Sequence, residues 1–352
     1  MTEDDKSLQT IVGDLVLYNA NRLQAAGKAA NDIASRGVFD DYISRKARNT
    51  IIRQRSDLAL FATYLAEALG GTHSVPGGEA LQQDPIVWNG ITWGIVEGFK
   101  RWLLQHGYAV SSVNIRLSTI KTYARLASKA GVIPSNEFVL IKAVEGYRRV
   151  EAKHLDERRE IRRKGPKKAQ SVSLTLEQAK ALKSQPETAQ GRRDAMLMCL
   201  LLDHGLRCGE VARLRVEDID PREGMMRFYR PKVDKVQTHK LTSDTLRAAF
   251  AWLYSGDAPK SGPLLRASQK GGGLTSAGMT ERGITKRVRS LGAALGIKGL
   301  SAHDCRHFWA THAAHSGTDT FTLQEAGGWS SLAMPRRYVE AAAVANERVK
   351  GF

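Results

Sequence analysis

The sequence predicts a mainly α-helical fold with a small antiparallel β-sheet in its C-terminal half. Three observations carry that expectation. Apolar residues recur at helical spacing along most of the chain. The composition of strands is confined to one stretch, Met225 to Leu241. A strongly basic, apolar-poor segment separates two regions, and 352 residues suffice for two cores rather than one.

Within residues 1–37, a helical extension, the pattern predicts a helix from Ile11 to Ala26. Residues 38–150 read as an all-helical domain. From Ser44 to Leu69, Leu58, Phe61, Leu65 and Leu69 share one face, and Gly70-Gly71 stop the helix. Residues 72–90 hold Gly, Pro, Asn and Asp and read as a loop. A second helix carries Ile95, Phe99, Trp102 and Leu103 on one stripe and stops at Gly107. A third is expected after Ser111-Ser112, which are good N-caps. Its apolar side is Val113, Leu117, Ile120 and Ala124, and its other side carries Arg116, Thr119, Lys121, Thr122 and Arg125. Cations mixed with short hydrogen-bonding residues suit phosphate contacts and groove entry, although most such faces are merely solvated. The helix ends between Gly131 and Pro134, with one more helix after it.

Residues 151–172 form a basic linker in which Arg162, Arg163 and Lys164 precede the helix-breaking Gly165-Pro166. The second domain, 173–352, opens with the capping box Thr175-Leu-Glu-Gln178. Met225 to Val233 and Val236 to Leu241 read as two strands joined at the Asp234 turn, in an otherwise helical domain.

Charge sets the partner class. Lysine and arginine number 53 against 36 acidic residues, a net +17, which favours a polyanion and above all nucleic acid. The 3 cysteines (Cys199, Cys208, Cys305) make no disulfide framework and fit a reducing cytoplasm. No apolar run reaches the roughly 18 residues of a membrane span, and Met1-Thr2-Glu3-Asp4-Asp5 is acidic where a secretory signal is basic.

Three short strings carry candidate chemistry. In Asp203-His-Gly-Leu-Arg207-Cys-Gly-Glu210, Arg207 sits in a turn between two helices, and Glu210 can orient its guanidinium or the backbone. Alone, an arginine at such a junction is most often a surface residue. In Ser301-Ala-His-Asp-Cys-Arg-His307, Ser301 and Asp304 resemble a capping box with Asp in place of Glu or Gln. His303 and Arg306 then share a face near a helix N-terminus, a proton carrier and a phosphate ligand pointing the same way. His307, one step round, reads as a buried structural hydrogen-bonder. His303 and His307 also have the spacing of a zinc helix, but Asp304 stands where that motif has Glu, and Arg306 would repel a dication. The third string runs from Leu323 through Gly328-Trp329 to Tyr338. Tyr338 in isolation is unremarkable among the 9 tyrosines.

Taken jointly and in this order, Arg207, His303-x-x-Arg306-His307, Trp329 and Tyr338 resemble the tyrosine recombinase (phage integrase) family, across roughly residues 40 to 345. Residues 38–150 are similar to that family's helical, SAM-like core-binding domain, and 173–352 to its α+β catalytic domain. Two residues depart from the common pattern: Trp329 stands where most members have His, as in the Cre-like branch, and Gly327 where most have Leu.

The resemblance implies a site-specific recombinase, with Tyr338 as nucleophile and a 3′-phosphotyrosine intermediate. Arg207 and Arg306 would hold the phosphate, His303 would relay the proton, and Trp329 would donate its indole N–H to the phosphate oxygens. Lys232, in the hairpin turn, would be the general acid, with Lys235 as the alternative, and Glu210 and His307 would support them. Neither cofactor nor metal is implied. The partners would be double-stranded DNA with a palindromic target site and three further copies of the chain, with the protein cytoplasmic and on the nucleoid. Lys286 and Arg287, in the basic stretch 281–295, join Arg116, Lys121, Arg125 and the linker cations as expected DNA contacts. A type IB topoisomerase-like relaxing enzyme or a silent DNA-binding regulator would use the same scaffold.

Overall fold

Where a tight turn interrupts an apolar helical stripe, the chain has to fold back and pack that stripe against the next one. This happens repeatedly here, and the computed structural model resolves into two compact units, Met1–Lys167 and Lys168–Phe352. The structure describes residues 21–71, 75–148, 150–151, 154–155, 171–269 and 271–342. Arg162, Arg163 and Lys164, most of the expected Ile11–Ala26 helix and the last ten residues therefore lie outside the described part.

In the first unit residues 21–36 are helical. The unit then comprises α1 (Val38–Ser44), α2 (Arg48–Ala68), α3 (Ala80–Gln83), a 3₁₀ turn (Pro85–Trp88), α4 (Trp93–Gln105), α5 (Val110–Lys129) and α6 (Ser135–Ala143). Its core is aromatic. Phe61 meets Phe99 edge-on at 5.0 Å and stacks on Trp88 at 6.1 Å, and Trp88 stacks on Tyr123 at 6.2 Å.

Three boundaries differ from the expectation. The Ser44–Leu69 stretch is broken, with α1 and α2 separated at residues 45–47. The 72–90 loop contains α3 and the 3₁₀ turn, because burying Leu81 and Trp88 pulls that segment into the core. α5 starts ahead of Ser111-Ser112, with Ala109 as an N-cap lacking a side-chain bond, since the helix buries Val110.

The second unit comprises α7 (Leu176–Lys183), α8 (Ala189–Leu202), α9 (Cys208–Val211), a 3₁₀ turn (Val216–Asp218), β1 (Ile219–Asp220), β2 (Met225–Arg230), β3 (Lys235–Lys240), α10 (Ser243–Leu253), β4 (Arg266–Ser268), β5 (Leu274–Gly278), α11 (Glu281–Ala294), α12 (Ala302–His315), α13 (Thr320–Gly327) and α14 (Ala333–Ala342). Every residue from Met196 to Leu202 is buried, so the second half of α8 runs through the core with apolar residues on all sides. The Thr175–Gln178 capping box is present at α7.

β1, β2 and β3 form one antiparallel sheet, with Arg230 opposite Lys235. The first strand of this hairpin stops at Arg230 rather than Val233, because Pro231 has no N–H to continue the ladder. Residues 231–234 make the turn, and Asp234 takes its positive φ of 48°. β4 and β5 add a second hairpin that the sequence reading leaves out. The buried Arg193 holds it by donating to the Arg266 carbonyl at 2.9 Å and to Ser268 Oγ at 2.5 Å.

Candidate active site

The turn before α9, the start of α12, the end of α13 and the middle of α14 converge in the second unit. Ser301 and Asp304 form the capping box that starts α12. The choice of Asp has a local reason: the second oxygen of this buried carboxylate accepts the Val172 N–H at 2.9 Å, tying down the entry to the unit. Gly205, with φ of +58°, turns the chain into Leu206-Arg207, and a Cβ there would lie 2.2 Å from the Trp309 ring.

Three guanidinium groups meet at the C-terminal end of α13. Arg207 donates to Glu210 Oε1 at 2.7 Å and to the Gly328 carbonyl at 2.9 Å. Arg306 donates to the carbonyls of Gly205 and Gly327, each at 2.6 Å. Arg230, fully buried, donates to the Ala326 carbonyl at 2.7 Å, to the Gly327 carbonyl at 3.0 Å and to Glu210 at 3.0 Å, and also to Gln237. The last carbonyls of a helix have no partner inside it and carry partial negative charge, so cations are the natural caps.

Glu210 is the carboxylate that bonds two of these groups, Arg207 and Arg230, and it also accepts the Arg207 backbone N–H at 2.8 Å. The cluster keeps a surplus of positive charge in a largely dry place. Burial, with Arg207 and Arg230 repelling, pulls the Arg306 guanidinium down to about 9. An anion bound here would relieve that repulsion.

Arg230 is the functional residue the sequence reading passes over. A signal for it exists: Met226, Phe228 and Arg230 are the inward positions of an alternating strand, and an arginine on a core face requires a buried partner.

Trp329 stacks its ring under Arg306, 4.2 Å from the guanidinium carbon, and against Trp309 at 6.0 Å. A Cβ on Gly327 would lie 1.9 Å from the Trp329 ring. The two departures from the common family pattern are therefore one adjustment, since the larger indole occupies the space a side chain at residue 327 would need.

Tyr338 on α14 is half-buried, 5.9 Å from the Trp329 ring centroid. Its hydroxyl lies 2.6 Å from Nδ1 of His307, and His307 Nε2 lies 3.1 Å from His303 Nε2. The phenol thus reaches His303 through His307, which is half-buried, while His303 is exposed. Burial raises the Tyr338 phenol above its ordinary range, against the pull of Arg306 and Arg337. Burial lowers both histidines; His307 and Arg306 add to the effect at His303, and at His307 Arg306 adds while Asp304 opposes. Both are neutral near pH 7 and able to accept a proton.

Lys232 stands exposed in the hairpin turn with no ion-pair or hydrogen-bond partner among the described residues, whereas Lys235 is paired with Glu325. Several cations expected on DNA are committed elsewhere. Arg287 pairs with the buried Asp194, Arg116 donates to the Ser112 carbonyl and lies 3.8 Å from the buried Asp57, and Lys121 donates to the Lys142 carbonyl. Arg125 and Lys286 are exposed. Arg282 and Arg289 join Lys286 along the exposed side of α11, opposite Ile284, Val288 and Leu291.

Residues 172–344 match the model of the phage integrase family. The chain is similar to the tyrosine recombinase XerC of Pelobacter propionicus, 26% identical over 295 residues that cover 82% of this chain and 84% of that one. It is 30% identical to XerC of Pseudomonas aeruginosa over 179 residues, 49% of this chain and 57% of the relative. Among solved structures it resembles a lambda integrase dimer bound to a COC′ core site, with a TM-score of 0.55 at 15% identity over 85% of this chain and 96% of that one. It also resembles the XerH site-specific recombinase bound to a palindromic difH substrate, with a TM-score of 0.52 at 19% identity over 82% and 77%. At those identities the structural likeness speaks for the fold alone, a mainly helical integrase fold with small antiparallel sheets. The chain belongs to the phage integrase family of tyrosine recombinases.

Proposed function

We propose that this recombinase cuts and rejoins double-stranded DNA with Tyr338 as its nucleophile. The observation that carries the reading is the positive cluster of the buried Arg230 and Arg306 with the half-buried Arg207, beside a half-buried tyrosine hydroxyl, an anion site with a nucleophile at its edge. The Tyr338 oxygen attacks the phosphorus, a 3′-phosphotyrosyl bond forms, and the bond to the 5′-oxygen breaks. Arg207 and Arg306 hold the non-bridging oxygens as charge grows on them. Trp329, whose indole N–H has no protein partner among the described residues, can donate to the same oxygens. Lys232 protonates the leaving 5′-oxygen. The new ester conserves the energy of the broken one, so rejoining by the reverse step requires neither ATP nor metal. Nicked suicide DNA in EDTA should therefore give a covalent protein–DNA adduct, and its absence would overturn the reading.

The hairpin lysines are separable. Glu325 holds Lys235, so Lys232 is the free acid. Lys232→Ala should slow cleavage by about 10²–10⁴-fold, the usual worth of a general acid, and Lys235→Ala by a few fold at most. A substrate with sulfur at the 5′-bridging position has a leaving group that requires no proton. It should restore Lys232→Ala and leave Arg306→Ala slow; failure to restore would remove Lys232 from the acid role.

The wider assembly follows by extension. A palindromic site bound by paired protomers and a homotetramer exchanging strands suit a protein similar to recombinases solved on a palindromic substrate and as a dimer on a core site. The helical first unit would grip DNA through Arg125, with Arg282, Lys286 and Arg289 as contacts from the second unit and Arg162, Arg163 and Lys164 from the linker. No helix among the described residues is long and apolar enough to cross a membrane. A cytoplasmic place on the nucleoid is the setting these contacts suit.

A further inference from the structure

We infer that His307, not His303, removes the proton from Tyr338, with His303 serving as the second carrier in a two-histidine relay. The inference rests on Tyr338 being the nucleophile and deepens that reading.

The relay is built by helix geometry. Residues 303 and 307 are one turn apart on α12, so their rings meet edge-on, centroids 4.5 Å apart, and share a contact between Nε2 atoms at 3.1 Å. α14 brings the Tyr338 oxygen to the other nitrogen of His307, Nδ1, at 2.6 Å. Both His307 nitrogens are thereby engaged, one by the nucleophile and one by the exposed histidine. One set of tautomers satisfies both contacts with the phenol donating: Tyr338 O–H to His307 Nδ1, then His307 Nε2–H to His303 Nε2, with the His303 proton on Nδ1.

Attack then moves charge and protons in one direction. The phenol proton passes to His307 Nδ1 as the oxygen–phosphorus bond forms, and the proton on His307 Nε2 passes to His303. His303 is exposed and becomes the cation at the solvent edge. On rejoining, the sequence reverses and Tyr338 recovers its proton.

The charged and titratable groups around the pair favour a neutral base at rest. From α12 itself come Arg306, which opposes protonation, and Asp304, which favours it. Arg207, from the turn before α9, also opposes it at His303, while Tyr338 faces His307 from α14 and Arg337 acts on the Tyr338 phenol. His312 and His315 line the same 360 Å³ cavity as His307, together with residues 171–174 and Leu176.

The test is single-turnover cleavage of nicked suicide DNA from about pH 5.5 to 9.5 with the full-length protein. Wild type should hold its rate down through the ordinary imidazole range and lose it only below, as His307, whose basicity burial lowers, takes up a proton. His307→Ala should fall by about 10²–10³-fold at pH 7, the usual worth of a general base, and its rate should keep climbing with pH as the phenol ionises unaided. Added imidazole should restore part of that rate, and should do nothing for Tyr338→Phe. His307→Asn keeps a polar group near the Nδ1 position without a relay, so it should fold and bind DNA as wild type while cleaving slowly. It stands in if the alanine variant unfolds. His303→Ala should lose less than His307→Ala and keep the acid limb of the profile. Wild-type rate and profile in both His307 variants, with the loss confined to His303→Ala, would overturn the relay. The absence of any adduct with wild type would overturn instead the nucleophile reading on which it rests.

Discussion

Tyr338→Phe should abolish the covalent DNA adduct while leaving DNA affinity within about twofold and the fold intact. The substitution removes one oxygen and keeps the ring that packs 5.9 Å from Trp329. His307 loses the partner of its Nδ1, at a cost of about 1 kcal/mol for one hydrogen bond, too little to unfold the unit. Affinity comes from the positive surfaces and the guanidinium cluster, none of which the change touches. Labelled suicide DNA on a denaturing gel reads the adduct, a native gel reads binding, and a thermal melt reads the fold. An adduct that survives in Tyr338→Phe would move the nucleophile to another residue.

The parts of this site that could be read in the sequence are those whose meaning is local. Arg207 lies in a turn set by Gly205, and Ser301 with Asp304 fixes a helix start that puts His303 and Arg306 on one face. Tyr338 was legible through its company at a fixed spacing from Trp329. The role of His307 was not, because it depends on how α14 crosses α12, and nothing within either string specifies that crossing. Arg287 shows a more instructive gap. The buried phase of α11 is Ile284, Val288 and Leu291, so residue 287 borders the apolar stripe and 282, 286 and 289 face away. Charge alone made Arg287 a DNA contact, whereas helical phase makes it the partner of Asp194. The β4–β5 hairpin escapes notice for the opposite reason: its strands are short and joined through Gly271-Gly272-Gly273, and Arg193 of α8 holds β4 from outside the hairpin.

Arg230→Met should destabilise the second unit by about 3–5 kcal/mol, the usual cost of removing one partner from a buried ion pair. For a unit of this size that is a fall in Tm of roughly 10 °C. The reason is the number of groups orphaned at once. Glu210 loses a guanidinium at 3.0 Å, Gln237 loses its partner, and the Ala326 carbonyl at the end of α13 loses its donor. Methionine fills the volume but donates nothing. Arg230→Lys keeps the charge yet cannot reach Glu210, Gln237 and two carbonyls together, so it should fall between the two.

Cleavage should drop further than stability explains. Arg306 anchors on the Gly327 carbonyl that Arg230 also bonds and Arg207 on the adjacent Gly328 carbonyl, and Gly328 itself sits at φ +58° with room for no Cβ beside the Arg230 side chain. A shift of about 1 Å in groups that hold a reacting phosphate costs on the order of 10²-fold in rate. In Arg230→Met, Glu210 keeps its pairing with Arg207, so adding Glu210→Gln should lower Tm further rather than recover it, because it leaves Arg207 and Arg306 with no carboxylate between them. A Tm within 2 °C of wild type in Arg230→Met would show that the α13 terminus is held by Arg207 and Arg306 alone, and Arg230 would then be a passenger on its strand.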